Sequence, residues 1–133
     1  MFTTPKILFT KTDEDAYLPS RSSASDPGYH LKSIGTVIIP NGGYAVVDTG
    51  LSIADIVKGV WIMVLPLESL LENHGVEPVT RVINNSYRGD LKIKLYNHSE
   101  EGHLINRGDA FAQFMYFPLL TIEPEFNPNE PLQ

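Results

Sequence analysis

The stretch Val82–Asp90, VINNSYRGD, runs straight into the alternating segment LKIKLYN. A hairpin built from it gathers several polar side chains and one aromatic ring around a space suited to a small ligand. Its first polar position, Asn84, is an amide, which can hold a water molecule but cannot take its proton. His30 and Glu68 are the pair whose types could do acid–base work or hold a cation, although two residues alone do not make a constellation. His74, His98 and His103 lack the i, i+4 spacing or grouped carboxylates of a metal site and are expected to face solvent. With no cysteine in the chain, disulfides, thiolate nucleophiles and Cys-based zinc sites are excluded.

The elements that must position these residues belong to one domain's worth of chain, 133 residues, of which 42% are hydrophobic and 20% charged. That balance supports a packed core and differs from the composition of disordered chains. A net charge of -6 and ten scattered Lys and Arg residues give no basic stripe for a nucleic-acid groove. The start, MFTTPKILFT, has no basic segment followed by a long apolar run, and no run of 18 apolar residues occurs anywhere. A soluble, cytoplasmic protein with no membrane and no nucleic-acid partner is expected. On that expectation the Asn-x-Ser matches at Asn84 and Asn97 carry little meaning as glycosylation sites.

The chain is punctuated like an all-β domain. Lys6–Thr10 is a strand candidate, followed by an acidic, Ser-rich segment in which Asp13-Glu14-Asp15 reads as a solvated turn. TVIIP (36–40) and YAVV (44–47), separated by Asn41-Gly42-Gly43, predict two strands joined as a hairpin. GVWIMVL (59–65) is a nearly unbroken apolar run ended by Pro66, which predicts a strand covered on both faces. LESLLEN (67–73) predicts a turn or two of helix stopped at Gly75. Leu91, Ile93 and Leu95 alternate with polar residues at the period of a half-buried strand, and AFAQFMYFPLL (110–120) supplies a last long strand. Many short strands without a long amphipathic helix predict a β-sandwich or barrel. The segment 123–133, with three prolines and no periodicity, reads as an extended tail on a single domain spanning 1–122.

The order of motifs resembles the trimeric dUTPase family. Pro27-Gly28-Tyr29-His30-Leu31 stands where that family has Ala-Gly-Tyr-Asp-Leu, and Pro40-Asn41-Gly42-Gly43 with Val47-Asp48-Thr49-Gly50-Leu51 resembles its Pro-x-Gly … Val-x-Thr-Gly stretch. Pro66-Leu67-Glu68-Ser69-Leu70 is similar to Pro-Arg-Ser-Ser-Leu, and Ile83-Asn84-Asn85-Ser86-Tyr87-Arg88-Gly89 to Ile-Asp-Ser-Asp-Tyr-x-Gly. Gly108-Asp109-Ala110-Phe111-Ala112-Gln113 is similar to Gly-Asp-x-Ile-Ala-Gln, so both Arg-Gly-Asp triplets, at 88–90 and 107–109, are pieces of motifs. The resemblance covers about residues 5–122 and implies a homotrimeric, all-β, dUTPase-like β-sandwich of jelly-roll, β-clip type.

For chemistry the resemblance implies cleavage of dUTP to dUMP and pyrophosphate, with candidate nucleotide contacts at Ser69, Asn84, Tyr87, Gly89 and Gln113. Tyr87 would pack on deoxyribose, or serve only as an aromatic cap. Gln113 would lie on the phosphate side, or be a satisfied polar group on an apolar strand. Asn84 would hydrogen-bond a base or sugar, or simply make a turn. Several positions depart from the family pattern. Asn84 replaces the aspartate that activates water, and His30 the aspartate associated with magnesium-bound triphosphate, an ion that prefers oxygen ligands. Leu67 and Glu68 replace an Arg and a Ser that serve the phosphates, where a carboxylate would repel them. The Gly-rich closing arm has no counterpart in 123–133.

These departures predict a catalytically degenerate trimer acting as a binding or structural module. Its partners would be copies of itself and a deoxynucleotide or a protein, in the host cytoplasm or a virion if the source is viral or a phage. The alternative is an active pyrophosphohydrolase on dUTP or another deoxynucleotide, using Mg²⁺ with a rearranged site. Deamination, performed by related dCTP deaminases, is disfavoured because Lys94 lies near the place of their catalytic glutamate.

Overall fold

The computed structural model describes residues 4–132. Among the described residues ten strands form two four-stranded sheets and a two-stranded ribbon, and there is one short helix. The first sheet has the order β1 (Ile7–Lys11), β4 (Tyr44–Ile56), β8 (Asp90–Asn97), β6 (Val76–Pro78). The second has the order β2 (Tyr29–Lys32), β10 (Ala110–Pro118), β5 (Val60–Leu65), β7 (Val82–Ile83). All pairings are antiparallel. The all-β sandwich expected from the sequence is therefore the fold.

Alternation puts Leu91, Ile93 and Leu95 of β8 inside, against Val47 and Ile53 of β4 and Phe111 and Phe114 of β10, all nearly inaccessible to solvent. Each such side chain contributes roughly 1.5–3 kcal/mol relative to exposure. Helix α1 (Glu68–His74) follows Pro66, carries the acidic Glu68 in its first turn and ends where Gly75 takes φ 68° and donates its N–H to Leu71 O at 2.9 Å. This left-handed cap is open to glycine at little cost.

Three expectations need correcting. β3 (Val37–Ile39) does not pair with β4 across Asn41–Gly43; it pairs with β9 (His103–Ile105). The turn forms, with Gly43 N–H donating to Pro40 O at 3.1 Å, but the chain then crosses into another sheet. β5 is covered fully at Ile62 and Val64 only, its other residues being half-buried. And β4 runs thirteen residues, because a register shift between Asp48 and Ser52 lets one strand serve β8 and β1 in turn.

At that shift Gly50 sits at φ 70°, where an added Cβ would meet Ile34 Cγ2 at 2.9 Å. Asp48 Oδ1 accepts from Gly50 N–H at 2.8 Å, and Thr49 Oγ1 donates to Leu91 O at 2.8 Å. Beyond β10 no strand or helix occurs among residues 119–132, and Phe126 is fully exposed.

Candidate functional site

The β7–β8 hairpin is held from several sides. Asn84 O accepts from Tyr87 N–H at 3.0 Å and closes the turn. Asn85 Nδ2 donates to Val57 O at 2.9 Å and Val60 O at 2.7 Å, tying the turn to the β4–β5 connection. Arg88 donates to Asn85 O and Tyr87 O at 2.6 and 2.9 Å and reaches Asp55 Oδ1 at 3.3 Å. The Tyr87 hydroxyl donates to Asp90 O at 2.7 Å, and a Cβ on Gly89 would fall 2.9 Å from that hydroxyl. Glycine at 89 is what lets the ring lie across the hairpin, half-exposed on its other face.

This frame encloses a recess of about 520 Å³ lined by Asn84, Ser86, Tyr87, Asp90, Lys92 and the flanking strand residues. One wall is bare strand edge. β6 pairs with β8 only at Leu95–Asn97, and the next contact is Val79 N–H donating to Lys94 O at 2.7 Å. Strand alternation then turns the N–H and C=O of Lys92 toward the recess, with no strand beside them. An adjacent donor and acceptor of this kind complements a planar ring edge carrying the opposite pair. Asn84 also lines the recess, and among the described residues its side-chain amide has no hydrogen-bond partner.

The remaining candidates gather elsewhere. Gln113 Nε2 donates to Pro66 O at 2.9 Å, and its Oε1 occupies the space a Cβ on Gly28 would need, 1.8 Å away. Gly28 and Gln113 are thus a packing pair, and His30 lies opposite Gln113 across β2 and β10. Ser69 lines a recess of about 320 Å³ with Leu67, Asn73, His74, His103 and Asp109, while Glu68 is exposed. The hairpin group and Ser69 line separate cavities, and Gln113 lines neither of them. A third, apolar groove of about 310 Å³ between β1 and β10 has Lys6 as its one charged lining residue. Tyr116 in that groove has its phenol pushed up to about 12 by burial and by the charge of Tyr29.

Of the three histidines expected to face solvent, His74 and His98 are exposed and His103 is half-buried. His74 and His103 lie with ring centroids 4.4 Å apart, and burial, then the neighbouring His74 charge, lowers the pKa of the half-buried His103, opposed by Asp109. His98 Nε2 lies 2.7 Å from Glu77 Oε2, and Glu77 also pairs with Arg81. Among the described residues no group of three or more His, Cys, Asp or Glu side chains could hold a metal ion. The imidazole of His30 is a poor Mg²⁺ ligand, because that ion prefers oxygen donors.

A family model described as dUTPase matches residues 14–133. The chain belongs to the dUTPase family. A deoxyuridine 5'-triphosphate nucleotidohydrolase of Oryza sativa subsp. japonica is 38% identical over 119 residues, covering 90% of this chain and 69% of that protein. The one of Paramecium bursaria Chlorella virus 1 is 34% identical over 115 residues, covering 86% and 81%. A mutant dUTPase from phage phi11 of S. aureus shares the fold with a TM-score of 0.82 at 20% identity, covering 94% of this chain and 98% of that one. Relatives from a plant and a virus are about equally similar, so identity does not select an origin.

Asn84, Tyr87 and Gly89, named from the sequence as candidates, lie together on this hairpin, whereas Asn85 and the Lys92 main chain were not singled out. Asn85 bonds to residues 25 and 28 positions away, which no local pattern announces. The Lys92 edge depends on where β6 stops. No helix among the described residues is long and apolar enough to cross a membrane.

Proposed function

We propose that the hairpin recess binds a deoxyuridine nucleotide and that the assembled protein hydrolyses dUTP to dUMP and pyrophosphate. The observation that carries this reading is the recess itself. A bare backbone edge at Lys92 is set to pair with an imide-type base, and beside it stands an aromatic ring locked by the Tyr87–Asp90 hydrogen bond. Relatives named as deoxyuridine 5'-triphosphate nucleotidohydrolases at 34–38% identity support the substrate class. In this reading Tyr87, Gly89 and Asn84 face the nucleoside, and Ser69 and Gln113 lie toward the phosphates. Because the hairpin recess and the recess at Ser69 are separate cavities of one chain, the reading requires self-association, as a homotrimer, to bring these groups together. Residues 1–122 act as the domain and 123–133 as an extended tail, in the cytoplasm.

A second reading is favoured by one specific set of residues. Asn84 is an amide, Leu67 offers no charge, and Glu68 brings a negative one where phosphates would lie, which suits a trimer that binds without turnover. The two readings separate in one assay: purified protein with dUTP and each other dNTP, plus Mg²⁺ or Mn²⁺, with pyrophosphate followed. Turnover of about one per second establishes hydrolysis. Stabilisation by dUMP of about 2.7 kcal/mol at about 100 times its dissociation constant, without pyrophosphate release, establishes the binding module instead.

A further inference from the structure

Hydrolysis needs a group that takes a proton from water, and Asn84 has none to offer. The other titratable side chains lining the recess are Tyr87, Arg88, Asp90 and Lys92. Tyr87 has its hydroxyl committed to Asp90 O, and Arg88 is a cation bound to two carbonyls and Asp55. The Lys92 side chain is a donor type rather than an acceptor. Asp90 is the one carboxylate in the lining. It is exposed, and among the described residues neither a hydrogen bond nor an ion pair engages its carboxylate oxygens.

The strand pattern aims it. Leu91 and Ile93 are buried, so Asp90 and Lys92 take the outer face of β8; Ile83 is buried, so Asn84 takes the outer face beyond β7. Asn84 and Asp90 therefore open onto one recess from the two sides of the hairpin mouth. The register shift in β4 opposite this point fixes the start of β8, with Ile53 N–H donating to Gly89 O at 3.0 Å and Thr49 Oγ1 donating to Leu91 O at 2.8 Å. Bulged pairings of this sort commonly re-aim a side chain beside a site.

We infer that Asp90 is the proton acceptor of the hydrolysis, with Asn84 holding the water. The inference rests on the proposed dUTP reading. The water oxygen bonds to the α-phosphorus while one of its protons passes to the Asp90 carboxylate. The bond from the α-phosphorus to the bridging oxygen breaks, and pyrophosphate leaves with the electron pair. The second water proton stays on the new dUMP oxygen. No oxidant or further reactant is needed.

Asp90→Asn is the direct test, because it keeps the side chain's shape and leaves the Tyr87 bond intact, that bond being to the main-chain oxygen of residue 90. Wild type, Asp90→Asn and the double variant Asp90→Asn/Asn84→Asp are compared for pyrophosphate release across pH and for dUMP-induced thermal stabilisation. Expected is a loss of about 10²–10⁴-fold in kcat for Asp90→Asn, with dUMP stabilisation unchanged, the acidic limb of the pH–rate profile gone, and turnover regained in the double variant. Wild-type turnover in Asp90→Asn, or an unmoved acidic limb, overturns the role of Asp90 while leaving dUTP hydrolysis standing. Wild-type protein that binds dUMP yet releases no pyrophosphate overturns both. Protein that binds no dUMP overturns the recess as a nucleotide site and Asp90's role with it.

Discussion

At the far end of β8, Asn97 is fully buried, and its side chain makes four hydrogen bonds. Nδ2 donates to Ile39 O at 3.1 Å and Glu101 O at 2.8 Å, while Oδ1 accepts from the Ser99 amide and hydroxyl at 2.9 and 2.8 Å. Across the hairpin from the near end, Asn84 is exposed in a recess and its amide has no partner among the described residues. The same residue type thus does opposite things. Burial forces complete pairing at Asn97, since a buried orphan polar group costs about 1–3 kcal/mol. At Asn84 no side-chain or main-chain partner among the described residues competes with a ligand or a water. A saturated polar group marks architecture, and an unsaturated one on a rigid frame marks a place where something binds.

The largest effect should come from breaking the saturated end. Asn97→Ala removes one donor from each of the carbonyls of Ile39 and Glu101, leaves the Ser99 amide and hydroxyl without their shared acceptor, and unties β8 from the turn that leads into β9. A loss of about 3 kcal/mol, or about 10 °C in Tm, is expected at fixed protein concentration. A calorimetric scan showing a shift below about 2 °C would mean that water replaces the amide without penalty.

Gly50→Ala should come next, at about 2 kcal/mol. Its φ of 70° disfavours any side chain, and the new Cβ would press on Ile34 Cγ2 at 2.9 Å. This change sharpens the comparison because Gly50 stands in the register shift that sets the near end of β8. Urea titration should show the stability loss, and dUMP binding should weaken in the same protein. Weakened stability with binding untouched would show that the hairpin does not need the shift.

Much of this frame is legible in the sequence. LKIKLYN alternates, and β8 alternates inside and out; Gly75 ended the helix as expected, and the Gly108-Asp109 motif opened β10. Pairing partners were not legible. TVIIP and YAVV around Asn-Gly-Gly carry every local hairpin signal, yet β3 pairs with β9, more than sixty residues on, because the long β4 is claimed by β1 and β8. The same limit hid the contact of His74 with His103, and it hid Asp90, read only as the end of an Arg-Gly-Asp triplet. Local pattern reports which face a residue takes, whereas the neighbour on that face is decided by topology.

The His74–His103 contact supplies a smaller, pH-dependent effect. Burial and the second imidazole hold the pKa of His103 below its ordinary 6.5 in the folded protein. The unfolded chain therefore binds the proton first, so stability is complete above about pH 6.5 and falls as the pH drops below it. Tm measured from pH 8 to pH 5 should decline through this window, and His103→Gln should flatten the decline. An unchanged slope in the variant would place the titration elsewhere.

The smallest stability effect is expected at Asn84, and it tests the comparison most directly. Asn84 contributes its main-chain oxygen to the turn, a bond that Asn84→Ala keeps, and its side chain gives up no partner among the described residues. The change in stability should stay within about 0.5 kcal/mol. Tyr87→Phe, which removes one hydroxyl bond to Asp90 O, should cost about 1 kcal/mol and serves as the yardstick on the same hairpin. Both variants should lose dUMP-induced stabilisation far out of proportion to their own Tm shifts. If Asn84→Ala instead destabilises the free protein as much as Asn97→Ala does, the amide is a structural group after all. The contrast between the two ends of β8 would then reflect exposure alone and say nothing about binding.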